Sequence, residues 1–488
     1  PVSVACATLT AVTDADPALP DERAVPSLSA EDLARLSGGR LLARSARPIR
    51  GAAVDSRLVE PGQLFVALPG ERTDGHQVLA DAVARGAAAV VVTRPPADPS
   101  ALGDLTVVRV ANALAALQAI AAGWRTRFDP LVVGVTGSIA KTSTKEAVAG
   151  VLAARFRTLK NEGNQNNEVG LPLTVLRLGP EHEAAVLEMG MYVGGEIADL
   201  ARIGRPSIGV VTAVQPVHLA RIGSLRAIEQ AKGELLEALP PSGTGILNAD
   251  DPVVRRMTSR TVARCLTYGF AADADIGAEE VTSAGTDGMR FLLRTAGGRR
   301  PIAIPTLGRM AVHNALAAAA VGVAAGLDLR TIAAGLEGGW SAPHRAQLVR
   351  LGRLTLIDDT YNASPAAVRA ALELLGGLPG RKVAVLGEML ELGKAYVDGH
   401  LDVGEAAAAV ADLLVVVGAG ATPIAGGARD AGMDPSRVLL ARDRDDALDI
   451  LRPRLRDGDV VLVKASRGVA LDTLVDALRA EFGGTAIR

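Results

Sequence analysis

One stretch constrains this chain more than any other: residues 131–156, LVVGVTGSIAKTSTKEAVAGVLAARF. Leu131, Val132, Val133 and Val135 make a short apolar, mostly β-branched run, and Gly134 and Gly137 loosen the backbone. Lys141-Thr142-Ser143 then open a segment whose apolar residues Val148, Val151, Leu152 and Phe156 recur at helical spacing. The reading is strand, loop, helix. A loop that delivers free backbone N–H groups and a Lys to a helix start suits a polyphosphate, because amides, helix dipole and ammonium all attract anionic oxygens. The Thr142 hydroxyl can then hold Mg²⁺. The strict pattern G-x-x-x-x-G-K-[ST] asks for Gly at 135 and 140, where this chain has Val135 and Ala140. Glycine serves there because the backbone must approach phosphates or take positive φ. A methyl at Ala140 either sits at negative φ or costs about 1 kcal/mol or more. From this pattern alone, an ordinary strand-turn-helix unit of an α/β domain stays open.

At 488 residues the length suggests about three domains. Hydrophobic content of 49% with 22% charged residues describes folded cores and not disorder. A net charge of -2 offers no basic footprint, so no nucleic-acid partner is expected. No apolar run reaches the roughly 18 residues a membrane span needs, and no secretory signal opens the sequence; a soluble, cytoplasmic protein is expected. Cys6 and Cys265 lie far apart, which argues against both a disulfide framework and a thiolate metal site. Of 52 basic residues only seven are lysine, at 141, 145, 160, 232, 382, 394 and 464. A Lys kept in so Arg-rich a chain hints at chemistry that needs an amine, although chance accounts for some of them.

Residues 1–25, rich in Pro, Ala and Asp without periodicity, read as a poorly ordered leader. Ser29 caps a helix start. Across 52–92, Pro61-Gly62 turns the chain before a strand at 64–68, a helix at 78–85 precedes a strand at 88–92, and Asp55-Ser56-Arg57 forms an exposed turn. This is a small α/β domain, 26–110, followed by a helix at 111–127. Past the phosphate loop, Lys160-Asn161-Glu162-Gly163-Asn164-Gln165-Asn166-Asn167 is a loop dense in amide donors and acceptors. A strand at 184–187 ends in Glu188, where open α/β sheets bind ligands. His218 follows an apolar strand at 208–214, and hard oxygens with one imidazole suit Mg²⁺. IEQAKGELLEAL places Lys232 at the start of an amphipathic helix. A second boundary near 338 closes a central domain, 111–338. In 339–488, LIDDTYNASP, KVAVLGEMLELG and VVLVKASRG set strands between helices in a Rossmann-like order. Lys464, Ser466 and Arg467, at a strand end, are candidates for an incoming carboxylate.

DSR, PG-LFVAL-G and DGH in the first domain, the phosphate loop and AKGE in the second, and DDTYNASP in the third resemble the Mur ligases over nearly the whole chain. The resemblance implies a three-domain α/β architecture: a small N-terminal UDP-binding domain, a central P-loop ATPase domain and a C-terminal Rossmann-like ligase domain. It implies that Ser56 and Arg57 contact the UDP portion of the substrate. Asp74, Gly75 and His76 match a further signature, with a structural role open to them. Mur-type loops read G-x-T-G-x-x-G-K-T. Gly134, Thr136, Gly137, Lys141 and Thr142 match that form, Ser138 and Ser143 complete the implied ATP cradle, and Ala140 departs from it. Asn164 and Asn167 fall in the segment implied near the acyl phosphate. Thr142, Glu188, His218 and a carbamylated Lys232 are the implied Mg²⁺ set. Asn314 is the implied adenine contact, although Met310 and Ala311 stand where the family has His and Asn. Arg345 is implied to reach back to the nucleotide, Asp359 to touch its ribose, and Asn362 to join Lys464, Ser466 and Arg467 at the acceptor.

The DDTYNASP stretch is similar to that of members that add D-alanyl-D-alanine to UDP-N-acetylmuramoyl-tripeptide. The implied activity is amide formation by a monomer using ATP and Mg²⁺ through an acyl phosphate, with Lys141, Lys232, His218, Asn167 and Arg345 as the catalytic set. Two alternatives stay open. Another amino-acid ligase of the superfamily would share the ATP loop without the DSR domain or DDTYNASP. A catalytically impaired nucleotide-binding homologue is prompted by Ala140 and the missing His-Asn pair.

Overall fold

The computed structural model of the chain describes residues 26–70, 74–98, 102–215 and 222–486. The leader at 1–25, Cys6 and His218 lie outside the described residues. Three sheets follow one another along the sequence. The first holds β1 (Arg40–Ala43), β2 (Ala52–Ala53), β3 (Leu64–Val66), β4 (Ala89–Val92) and β5 (Thr106–Arg109), in the order β1-β5-β4-β3-β2 with only β1 antiparallel to its neighbour. β3 and β4 are buried throughout. Such unbroken apolar strands need cover on both faces. One face belongs to a core that continues through the Ala113–Arg125 helix into the central unit, joining Leu64 and Val91 to Trp124, Leu171 and Leu200.

The central sheet holds β6 (Leu131–Thr136), β7 (Thr158–Lys160), β8 (Ala184–Glu188), β9 (Ile208–Val211), β10 (Thr244–Asn248), β11 (Arg264–Gly269), β12 (Ile276–Ser283), β13 (Met289–Thr295) and β14 (Gly298–Ile304). Its order is β14-β13-β12-β11-β10-β9-β6-β8-β7, parallel except for the hairpins β12 to β14. β6 lies between β8 and β9, so the loop after β6 and Glu188 at the end of β8 share one sheet edge. The third sheet holds β15 (Gln347–Leu351), β16 (Leu354–Asp358), β17 (Lys382–Gly387), β18 (Leu413–Val417), β19 (Val438–Ala441), β20 (Val460–Lys464) and β21 (Gly484–Ala486), in the order β19-β18-β17-β20-β16-β15-β21. β16 to β20 run parallel, and β15 and β21 are antiparallel additions.

Local chemistry sets several element ends as the sequence suggests. Ser29 and Asp32 form a reciprocal capping box on the Ala30–Ser37 helix, and Pro365 opens the Pro365–Gly377 helix. One expectation is corrected. Lys232 does not start its helix, which runs Leu225–Glu237 behind the Ser224 cap. The Ser224 hydroxyl accepts the Ala227 amide and so begins the helix two turns earlier than the apolar spacing suggests. Among the described residues no helix is long and apolar enough to cross a membrane.

Candidate active site

The carboxyl ends of β6 and β8 open onto a cleft of about 2020 Å³ whose opposite wall comes from the third sheet. The Lys141–Ala153 helix begins at Lys141, so its first N–H groups have no intrahelical acceptor beside the cleft. Gly137 is required twice over: its φ is 150°, and a Cβ there would lie 1.9 Å from Thr212 Oγ1. Ala140 takes the left-handed conformation that glycine would take more cheaply, with φ 63° and ψ 0°. The loop therefore holds its expected shape with the methyl present.

The loop's hydroxyls divide by task. Thr136 Oγ1 donates to Met189 O (2.8 Å), and Ser138 Oγ donates to Gln215 O (3.0 Å) while accepting from Gln215 N (2.9 Å). Both brace the loop against neighbouring strands. Ser138, Lys141 and Ser143 line the cleft, and Thr142 is buried just behind it. Lys141 Nζ donates to Ser138 O (3.3 Å). Burial lowers its pKa, Glu188 opposes that shift, and Arg345 of the third sheet reinforces it. Lys232, 3% exposed, is pushed well below the usual lysine range by burial first and then by Lys141. Among the described residues it has no hydrogen-bond partner, and its helix sets it beside the phosphate loop.

Glu188 is held from three sides. Asn161 Oδ1 accepts its N–H (2.9 Å), Asn161 Nδ2 donates to its carbonyl (3.4 Å), and Asn166 Nδ2 donates to Oε1 (2.7 Å). Oε2 is buried without a hydrogen-bond partner. A carboxylate oxygen so placed is a costly orphan unless a cation meets it, and a hard divalent ion such as Mg²⁺ fits this donor. Among the described residues no group of three or more His, Cys, Asp or Glu side chains could hold a metal ion, so a cation at Glu188 would need other donors beside it, such as the Thr142 hydroxyl.

The Asn-rich loop sorts its members in a way composition does not reveal. Asn166, and neither Asn164 nor Asn167, grips Glu188; Asn167 Oδ1 caps the Gly170–Val175 helix through Gly170 N (2.9 Å). Asn314 lines the cleft, its Oδ1 accepting from Thr144 Oγ1 (3.1 Å). Beside it, His313 meets Asn248 Oδ1 (3.1 Å) and Asp250 Oδ2 (3.4 Å), and the Arg309 guanidinium stacks on Phe270 at 3.8 Å. This group stands out in sequence only as the His before Asn314. Met310 is part-exposed at the same wall.

On the third sheet, Arg345 lies over the Tyr361 ring at 4.0 Å. Asp359 Oδ2 pairs with Lys464 Nζ (2.6 Å), and Lys464 also donates to Asn362 O (2.8 Å). Ser466 Oγ accepts from Leu390 N (2.9 Å) and donates to Ala363 O (3.4 Å), tying two cleft loops together. Arg467, largely exposed, pairs with Asp472 (3.0 Å). Lys464 and Ser466, candidates for an incoming carboxylate, are engaged within the protein.

The DSR turn lies on the first sheet, away from the cleft lining. Ser56 is buried, while the exposed Arg57 turns back on Asp55 (2.6 Å), whose carboxyl falls to about 2 beside that guanidinium. Asp74, Gly75 and His76 work as a brace: Asp74 Oδ1 accepts from His76 Nδ1 (2.6 Å), His76 Nε2 accepts from Thr93 N (3.0 Å), and Arg94 also pairs with Asp74.

A phosphate loop facing an orphaned carboxylate, across from a Rossmann-like sheet that offers an arginine, defines a nucleotide-dependent ligase of three units. The chain belongs to the Mur ligase family. Residues 48–125 match the Mur ligase family catalytic domain, 135–322 the Mur ligase middle domain and 344–467 the Mur ligase glutamate ligase domain. It is similar to UDP-N-acetylmuramoyl-tripeptide--D-alanyl-D-alanine ligase of Mycobacterium tuberculosis, 38% identical over 88% of this chain and 91% of that one. The Bacillus subtilis ligase of the same name is 36% identical over 88% of this chain and 93% of that one. Among solved structures, MurF from Acinetobacter baumannii superposes with a TM-score of 0.84 at 29% identity, covering 93% of this chain and 99% of that one. MurF ligase from Thermotoga maritima in complex with ADP does so with a TM-score of 0.78 at 28% identity, covering 89% and 98%.

Proposed function

We propose that this chain is a cytoplasmic ATP-dependent ligase that joins D-alanyl-D-alanine to UDP-N-acetylmuramoyl-tripeptide in peptidoglycan precursor synthesis. The observation that carries the reading is the unpartnered Glu188 oxygen beside Lys141, where a cation and anionic phosphates would be accommodated, in a chain whose relatives bear that name over most of their length. Amide formation from a carboxylate and an amine is uphill in water. ATP supplies the driving force by phosphorylating the tripeptide carboxylate, which then becomes an acyl donor. Lys141 and the helix N–H groups neutralise the transferring phosphoryl group. Arg345 approaches from the opposite wall, and closing the two walls excludes water from the acyl phosphate.

Glu188 and Thr142, with His218 from outside the described residues, would hold Mg²⁺, which would supply positive charge to offset the phosphates. Burial lowers the pKa of Lys232 and so favours its neutral amine, the form that adds CO₂; carbamylated, it would complete the cation site. Asn314 and the Arg309–Phe270 wall receive the base, and Ser56 and Arg57 receive the UDP end of the substrate. The test is phosphate release with UDP-N-acetylmuramoyl-tripeptide, D-alanyl-D-alanine and Mg-ATP. Release that depends on the dipeptide supports the ligase. Nucleotide binding with no dipeptide-dependent release would favour the impaired homologue that Ala140 suggests.

A further inference from the structure

Arg345 sits between two residues in the left-handed region, His344 at φ 60° and Ala346 at φ 49°. Neither is glycine. Such backbone persists only where its surroundings enforce it, and here they are explicit. His344 Nδ1 meets the buried Asp358 Oδ2 (2.9 Å), and His344 O accepts from Tyr361 N (3.0 Å). Ala346 N donates to Asp359 Oδ1 (3.1 Å). The other oxygen of Asp359 takes Lys464 Nζ at 2.6 Å, and the same ammonium reaches Asn362 O (2.8 Å) and Asp359 O (3.4 Å).

We propose that Lys464 is a positioning residue: through Asp359 it fixes the His344–Ala346 turn and thereby holds Arg345 toward the phosphate loop. This rests on the ligase reading, in which Arg345 meets the nucleotide. An ammonium suits the task because three donors on one compact head meet three oxygens of one turn, which the flat fork of an arginine does not match. That accounts for a lysine kept here in an arginine-rich chain. Use of Lys464 as a direct ligand for the dipeptide carboxylate would instead require breaking a buried pair and leaving Asp359 without its cation.

The test is a double-mutant cycle read by calorimetric ADP binding to the full chain, with Lys464→Met, Arg345→Ala and the pair. Lys464→Met is expected to weaken ADP binding on the order of tenfold, and to add nothing once Arg345 is alanine. Steady-state kinetics should show KM for ATP rising more than KM for the dipeptide. If Lys464→Met fails to fold, Ala346→Gly, which frees the turn at the cost of one part-buried methyl, replaces it in the same cycle. Additive losses, or a variant that binds ADP normally and loses only dipeptide affinity, overturn the proposal. A wild-type chain that binds no ADP overturns both this and the ligase reading, so the two failures are told apart.

Discussion

Ala140 is the residue on which the phosphate loop turns, and its left-handed φ of 63° carries roughly 1–2 kcal/mol of strain. Ala140→Gly should relieve part of this; glycine's greater freedom in the unfolded chain offsets some of the gain. The expected outcome is a variant as stable as the parent or up to about 1 kcal/mol more so, with ADP affinity unchanged or higher, checked by thermal unfolding and calorimetry. Gly137→Ala is the opposite case. Its Cβ would meet Thr212 Oγ1 at 1.9 Å, so nucleotide binding should be lost. Lys232 provides a pH signature. Its amine titrates below the usual 10.5 in the folded chain, so between that lowered value and 10.5 the unfolded chain holds more protons. Stability therefore rises with pH through this window and is lost as pH falls. Lys232→Met should flatten the rise in a plot of Tm against pH, leaving the smaller contribution of Lys141, whose shift has the same sign. The sequence made Gly137 and Lys141 visible because their chemistry is local. It left the conformation of Ala140 undecided, since φ at that position is set by strands the pattern does not show.

At the scale of elements, the parallel strands were readable from their β-branched runs, and Glu188 from its place at a strand end. The Asn-rich loop was not. Asn164, Asn166 and Asn167 are alike in composition, and only the fold turns Asn166 to Glu188 and Asn167 to a helix cap. Asn166→Ala leaves Glu188 Oε1 without its donor, a change worth about 1–3 kcal/mol, and should raise the Mg²⁺ concentration needed for half-maximal phosphate release. Asn167→Ala should instead lower thermal stability by about 1 kcal/mol through the lost cap. Lys232 was misplaced along its helix for a similar reason: apolar spacing marks the buried face, whereas the Ser224 cap marks the beginning.

Over the whole molecule, the first and central sheets share one core through the Ala113–Arg125 helix, while the third sheet faces the central unit across the cleft. ADP bound there touches two units, and at about 100 times its Kd it should stabilise the chain by ~2.7 kcal/mol, seen as a rise in Tm. The distribution of amines carries a separate consequence. Lys145, Lys232 and Lys464 are sealed from solvent, whereas Lys394 is exposed and Lys160 and Lys382 are partly so. An acylating reagent read out by mass spectrometry would therefore mark the outer three at once and Lys464, the one sealed amine that lines the cleft, only as the walls part, giving a clock for how often this protein opens.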